Sequence, residues 1–447
     1  MSNHIAKTVC RSIRYILIAA IMPLTMLAAS CSKEENEFPE EEGVARTTVL
    51  VYMAAQNSLG LDRSRQYRFQ KLDSAEIMAG RSFIPSDSRL LLFIDDAENP
   101  RLYQVSSSSN QPRLVKRWSR DEDSASPEVL KEVLSLMKTA CPAENYGLVM
   151  WSHADGWLPP MTRENASVRK FSLDGKHTFS FGIDSDKGIG AADQDEGSQM
   201  RITDMAEAIK ESGVHAKYIF FDACLMQNVE VAYTLREVAD YIVASPIMTP
   251  ALGSNYISQI KKGLFSDDPS DIVQTYYDDV TDPSQQVGDL SYAGYGIVMS
   301  AVRTDKMESL ANAVSAALRH SNIFSNGYPD MEGVMAYHPY VWNYFYRPHF
   351  YDARQSMLKL FKGEEGDAAV KALDEAVVKR VATSSFYFGP GYFDMQNVDL
   401  STYGGISMFI PQEVYTSNAS RCKYGDLNEA FKLQPWYEAA GWQNSAW

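Results

Sequence analysis

Apolar positions along this chain fall into short continuous runs rather than into alternation. Thr47–Ala54, Arg89–Asp95, Tyr146–Trp151, Lys217–Asp222, Asp240–Ala244 and Tyr295–Val302 are such runs. A strand with one wet face alternates apolar and polar residues, whereas a run that is apolar throughout suits a strand covered on both faces. Between the runs the period lengthens to that of a helix. Ser126-Pro127-Glu128 supplies an N-cap, a ring-fixed first helical residue and an acid in the first turn, with Leu130, Val133, Leu134 and Met137 on one face. Thr203-Asp204 opens a helix that Gly213 closes, Thr304-Asp305 opens one running to His320, and Met226–Ala239 is helical in pattern. This alternation predicts an α/β fold of three layers, with a largely parallel sheet between two helical layers. The core is expected over residues 46–320. Residues 321–447 are aromatic-rich, carry one late strand-like run at Gly405–Pro411, and read as a C-terminal subdomain.

Ahead of the first strand the pattern changes. Lys7, Arg11 and Arg14 precede an apolar stretch from Tyr15 to Ala29, which is shorter than the roughly 20 residues of a membrane span. It ends in small residues, as secretory signals do. Leu27-Ala28-Ala29-Ser30-Cys31 resembles the lipobox of bacterial lipoproteins, in which the thiol, here Cys31, takes the lipid. Residues 1–30 are therefore expected to be a lipoprotein signal peptide. Ser32-Lys33-Glu34-Glu35 resembles the tag that sends some lipoproteins to the outer cell face. Residues 31–45 are too acidic to pack and read as a tether. The mature protein is expected to be lipid-anchored in the outer membrane, facing the cell surface or the periplasm.

Charge and composition remove several classes of function. The formal net charge is −15, which would repel a phosphate backbone, so nucleic acid is not an expected partner. Five cysteines (Cys10, Cys31, Cys141, Cys224 and Cys422) are too few for a disulfide scaffold, and a pairing of Cys141 with Cys422 stays open. The histidines lack the spacing of zinc ligands, and no glycine-rich phosphate loop is present. Asp184, Asp186, Asp193, Asp195 and Glu196 form an acidic cluster of the kind that suits Ca²⁺, although Asp184-Ser185-Asp186 lacks the remaining features of an EF-hand loop. No cofactor is required by these patterns, and Ca²⁺ is the one candidate.

In an open α/β sheet, reactive groups gather beyond the carboxyl ends of the strands. Tyr146–Trp151 runs into Ser152-His153-Ala154-Asp155-Gly156-Trp157, and Lys217–Phe221 runs into Asp222-Ala223-Cys224-Leu225-Met226. One end offers an imidazole and the other a thiol. A crossover between neighbouring parallel strands would bring both to one edge, where an imidazole and a helix N-terminus favour the thiolate. Taken alone, each residue also fits a plainer role, a buried small hydrophobe for Cys224 and a backbone-bonded ring for His153.

The wording around these two residues carries a resemblance. Val49-Leu50-Val51-Tyr52-Met53-Ala54-Ala55, Trp151-Ser152-His153 with Gly156-Trp157, Asp222-Ala223-Cys224-Leu225-Met226, Tyr241-Ile242-Val243-Ala244-Ser245 and Gly405-Ile406-Ser407-Met408-Phe409-Ile410-Pro411 together resemble the clostripain family of cysteine peptidases. The resemblance implies a caspase-like fold and an endopeptidase acting on protein or peptide substrates after Arg or Lys. His153 and Cys224 would be the catalytic dyad. Backbone N–H groups near Gly156 and of Cys224 would hold the oxyanion, and Asp222 would be the acid of the S1 pocket, which receives the residue before the scissile bond. It also implies self-cleavage between His153 and Cys224, at one of Arg163, Arg169, Lys170, Lys176 or Lys187. The chain is expected to be a monomer, whole or nicked.

Three positions depart from the family pattern. Ala154 stands where a glycine is usual, Gln56 replaces an expected Asp, and Pro246 follows Ser245 where an acid is common. If the turn at 154 demands the backbone freedom of glycine, the alternative is a catalytically silent caspase-like lipoprotein that binds peptides or proteins.

Overall fold

The computed structural model describes residues 43–61, 68–159, 181–185, 195, 197–287, 290–338, 349–387, 395–397, 401–419 and 424–445. Several expected features lie outside these residues: the signal peptide, Cys31 and most of the tether, all five candidate cut sites, Asp186, Asp193, Glu196 and Cys422.

One sheet organises the described residues. Its strands are β1 (Ala45–Ala54), β2 (Ser88–Asp95), β3 (Arg101–Val105), β4 (Arg113–Arg117), β5 (Ala143–Trp151), β6 (Ala216–Asp222), β7 (Tyr241–Ala244), β8 (Val298–Arg303) and β9 (Val377–Ala382). They lie in the order β9-β8-β7-β6-β5-β1-β2-β3-β4. The five central strands, β2, β1, β5, β6 and β7, are parallel to one another, and strands paired antiparallel close both edges. The six runs read from the sequence are all strands of this sheet, the last starting at Val298 rather than Tyr295. In β1, every residue from Val49 to Ala54 is fully buried, as a strand roofed on both faces requires. The edge strands carry Arg113, Lys116 and Arg117 on one side and Lys379 and Arg380 on the other, charges that discourage further strand pairing.

Helices cover both faces. Tyr52 and Met53 point to opposite sides of β1. The Tyr52 hydroxyl donates to Ser124 O at 2.8 Å, while the Met53 sulfur meets Ser74 Oγ at 3.9 Å. The Ser124 side holds α2 (Pro127–Ala140), α3 (Ile202–Ser212), α5 (Met307–Ser321) and α6 (Gly363–Ala376), packed in sequence through the short helix Val229–Thr234. The Ser74 side holds α1 (Phe69–Gly80) and α4 (Ser270–Thr281), joined through Tyr256–Gly263. Ser126 caps α2 as read from the sequence, its side chain accepting from Val129 N at 3.2 Å.

One expectation changes. The helix expected over Met226–Ala239 shrinks to Val229–Thr234, because residues 225–227 give their backbone groups to neighbouring segments. Leu225 N donates to Ile247 O, Gln227 N to Ser245 O, and Gln227 O accepts from Ser407 N. Residues 321–447 supply β9 to the sheet and α6 to one helical layer, and Glu40–Trp447 is a single compact unit. The late aromatics serve as core: Phe409, Phe431 and Trp442 are buried and, with Trp157, pack ring against ring. Among the described residues no helix is long and apolar enough to cross a membrane.

Candidate active site

The register of β5 and β6 sets the site. Trp151 stands opposite Asp222 at the carboxyl ends of these adjacent parallel strands. His153 and Cys224 each lie two residues beyond that rung, so imidazole and thiol leave the sheet side by side, from strands about 4.8 Å apart. Because Trp151 and Asp222 share a rung, their side chains share a face, the one that α1 covers.

The His153 loop is tied to the end of β1. Asn57 is fully buried, and its Nδ2 donates to Ala54 O at 2.9 Å, Ile183 O at 3.0 Å and Ser152 Oγ at 3.2 Å. The next residue, Ser58, reaches the imidazole, with its Oγ 3.0 Å from His153 Nε2. Asp195 Oδ1 lies 3.5 Å from the same nitrogen and accepts from Ser58 N at 2.9 Å. Behind the ring, His153 O accepts from Gly182 N, and Ala154 makes a bridge to Phe181. Ala154 is not among the residues with positive φ, so the turn makes no demand that only glycine could meet. Gln56 also has a structural place: its Nε2 donates to Asp121 Oδ1 at 2.6 Å, and its carbonyl accepts from Ser185.

The thiol sits on a strained turn. Leu225, directly after Cys224, has φ 61°, a left-handed conformation that costs a branched residue of order 1–3 kcal/mol. Neighbouring bonds hold it there. Its N–H donates to Ile247 O at 3.0 Å, and its carbonyl accepts from Asn228 Nδ2 at 2.7 Å. Gly156, at φ 69°, packs so closely on this turn that a Cβ would come within 2.9 Å of Leu225 O and 2.8 Å of Asn228 Nδ2. Gly156 and the Cys224 turn are therefore neighbours, as the oxyanion assignment needs. Cys224 is half-buried, and Sγ lies 3.6 Å from Thr249 Oγ1 and 3.7 Å from Thr249 O. Burial pushes the thiol above its ordinary value. Asp155 and Asp222 add to the rise, and the Thr249 contacts oppose it. The helix N-terminus expected beside the thiol is absent, because the helix begins only at Val229.

Asp222 lies beneath the turn, 5% exposed. Its Oδ2 accepts from Ser254 N at 3.1 Å and Tyr256 Oη at 3.0 Å, while Oδ1 is buried with no hydrogen-bond partner. Burial raises its pKa to about 6, and the two donors limit the rise. Deeper still are Asp73, whose Oδ2 accepts from Trp151 Nε1 at 2.6 Å, and Glu76, which accepts from Tyr256 N and Tyr292 Oη. Gly253 forms part of the wall around Asp222. It has φ 63°, and a Cβ there would stand 2.8 Å from Asp222 Oδ2. Gly253→Ala is expected to displace the carboxylate and lower kcat/KM on basic peptides by about tenfold or more, given the strain and the crowding. Alkylation of Cys224 by a small neutral reagent should keep its rate, and a parallel fall in both would mean that the whole turn had collapsed.

The acidic cluster weighed for Ca²⁺ divides. Asp184 accepts from Ser124 N and Oγ, and Asp195 serves the His153 loop. Among the described residues no group of three or more His, Cys, Asp or Glu side chains is placed to hold a metal ion. Of the functional residues, Ser58, Leu225, Thr249 and Gly253 escaped sequence reasoning. Ser58 alone had a signal, since it follows β1 at the sheet edge that carries His153 and Cys224.

A caspase-like sheet with a thiol and an imidazole beyond adjacent strands defines a cysteine peptidase. The comparisons agree: residues 51–447 match the Clostripain family, and the chain belongs to it. A secreted C11 cysteine protease from Bacteroides thetaiotaomicron, solved with an irreversible peptide inhibitor, is 25% identical with a TM-score of 0.70, covering 90% of this chain and 100% of that one. An inactive zymogen C11 protease from Parabacteroides distasonis is 23% identical, TM-score 0.67, covering 89% of this chain and 99% of the other. No protein of curated function matches the chain.

Proposed function

We propose that this cysteine peptidase is an endopeptidase that cuts after Arg or Lys through His153 and Cys224. The observation that carries the specificity is Asp222. A buried carboxylate beside the nucleophile, with one oxygen lacking a partner, would pair with a guanidinium or ammonium group entering from the substrate. Burial holds Asp73 and Glu76 below it toward their neutral forms, which leaves Asp222 as the carboxylate that meets the entering cation.

The chemistry follows from the residues present. His153 takes the Cys224 proton as Sγ attacks the scissile carbonyl carbon. The negative charge moves to the carbonyl oxygen, which the N–H of Cys224 and a donor near Gly156 would receive. Collapse breaks the C–N bond, and the leaving amine takes the proton back from His153. Water then gives a proton to His153 and attacks the thioester, releasing the acid and restoring the thiol. Because burial holds the thiol high, its neutral form is favoured at rest, and proton transfer accompanies attack. A bound cation at Asp222 neutralises one of the charges that raise Cys224, so the correct substrate also eases ionisation of its attacker.

The same specificity would act on the chain itself, at a basic residue between His153 and Cys224. Lipidation at Cys31 would hold the enzyme at the outer membrane. Matched fluorogenic peptides ending in Arg, Lys, Asp or Leu, with and without added calcium, test the reading. Cleavage confined to Arg and Lys is expected. Equal rates on Leu, or silence on all four after mild nicking of residues 160–194, would sink it.

A further inference from the structure

The groups at His153 Nε2 do more than fill space. Ser58 Oγ at 3.0 Å and Asp195 Oδ1 at 3.5 Å both address that nitrogen. The acceptor end is itself fixed, since Ser58 is 7% exposed, its N–H holds the Asp195 carboxylate, and Asn57 anchors the loop to Ala54, Ser152 and Ile183. A hydroxyl and a carboxylate at Nε2 favour the protonated ring, whose positive charge meets a negative partner there.

We propose that Asp195 and Ser58 are positioning residues, which hold the His153 ring through Nε2 and stabilise the imidazolium formed during attack. This rests on the His153–Cys224 dyad. In the forward step the S–H bond breaks and a ring N–H forms on His153, while Ser58 and Asp195 stay at Nε2. The positive ring then faces a negative partner. In the next step the ring gives that proton to the leaving amine and is neutral again. Nothing is oxidised or reduced, and no proton passes to Asp195.

The sign of one effect separates this role from a bystander charge. Asp195 as a mere negative neighbour would disfavour the thiolate, so removing it would speed alkylation of Cys224. Asp195 as the partner of the imidazolium favours the ion pair, so removing it would slow alkylation and move the rate's pH midpoint upward.

The experiment compares wild type, Asp195→Asn, Asp195→Glu, Ser58→Ala and His153→Ala in the full chain. It reads iodoacetamide labelling of Cys224 by mass spectrometry from pH 5 to 10, and kcat and KM on the best basic peptide. Asp195→Asn is expected to label more slowly at neutral pH and to lose roughly 10–100-fold in kcat, less than a general acid–base group itself supplies, with KM nearly unchanged. Asp195→Glu should recover part of the loss, and Ser58→Ala should shift labelling the same way but less. Faster labelling in Asp195→Asn, or a loss confined to KM, overturns the proposal. Labelling needs no substrate, so the two readings fail separately. If His153→Ala labels like wild type, the dyad is wrong. If His153→Ala slows labelling and Asp195→Asn does not, only the positioning role is wrong.

Discussion

Cys224→Ala is expected to lower peptide cleavage by roughly 10⁵-fold or more, because no acyl-enzyme can form and only binding and oxyanion contacts remain. The protein should fold normally. The alanine keeps the Cβ of a half-buried side chain whose sulfur makes only long contacts to Thr249. Basic peptides should still bind, since Asp222 is untouched. The same variant should stay intact between His153 and Cys224, whereas wild type accumulates a cut chain, readable by mass spectrometry of the purified proteins. His153→Ala should fall less far, by roughly 10²–10⁴-fold, the share a positioned acid–base group supplies. A Cys224→Ala protein that retains a few per cent of wild-type turnover, or is cut at the wild-type rate, would show that the nucleophile lies elsewhere.

Asp222→Asn carries the second large effect. Removing one member of a buried charge pair costs about 3–4 kcal/mol, or roughly 10²–10³-fold in kcat/KM for Arg and Lys substrates. Much of this reflects the substrate cation left without its partner. The pH profile gives an independent check with a definite sign. The Asp222 carboxyl is held up to about 6, so in the free enzyme it is charged above that pH and neutral below it. Cleavage after Arg or Lys should therefore fall as pH drops through about 6, and this limb should vanish in the asparagine variant. An unchanged acid limb in Asp222→Asn would assign it to another group. An unchanged Arg/Lys preference would remove Asp222 from the specificity pocket.

Much of this architecture was legible because it rests on local pattern. Continuous apolar runs announced the buried strands, and Ser126-Pro127 announced the start of α2. The placement of His153 and Cys224 at one sheet edge was legible from two strand ends, since a βαβ crossover leaves neighbouring strands little choice of edge. What stayed hidden depends on contacts distant in sequence. Asp195 looked like one member of an acidic cluster until the fold put its oxygen against Ser58 and His153. The helix pattern after Cys224 was overridden because Ile247, Ser245 and Ser407 compete for the same backbone groups. Ala154 stood out against the family pattern, yet its backbone lies in a region open to any residue. A deviation in sequence becomes a functional departure only where the conformation makes it one.

Order of synthesis gives one contact a further meaning. The Cys224 turn leans on residues near the far end of the chain: Ser407 N donates to Gln227 O, and Phe409 N to the buried Glu230. A nascent chain stopped before Gly405 has none of these partners, although His153 and Cys224 have long since emerged. A protease assembled in this way carries its own delay, because the cutting edge is the last thing the chain completes.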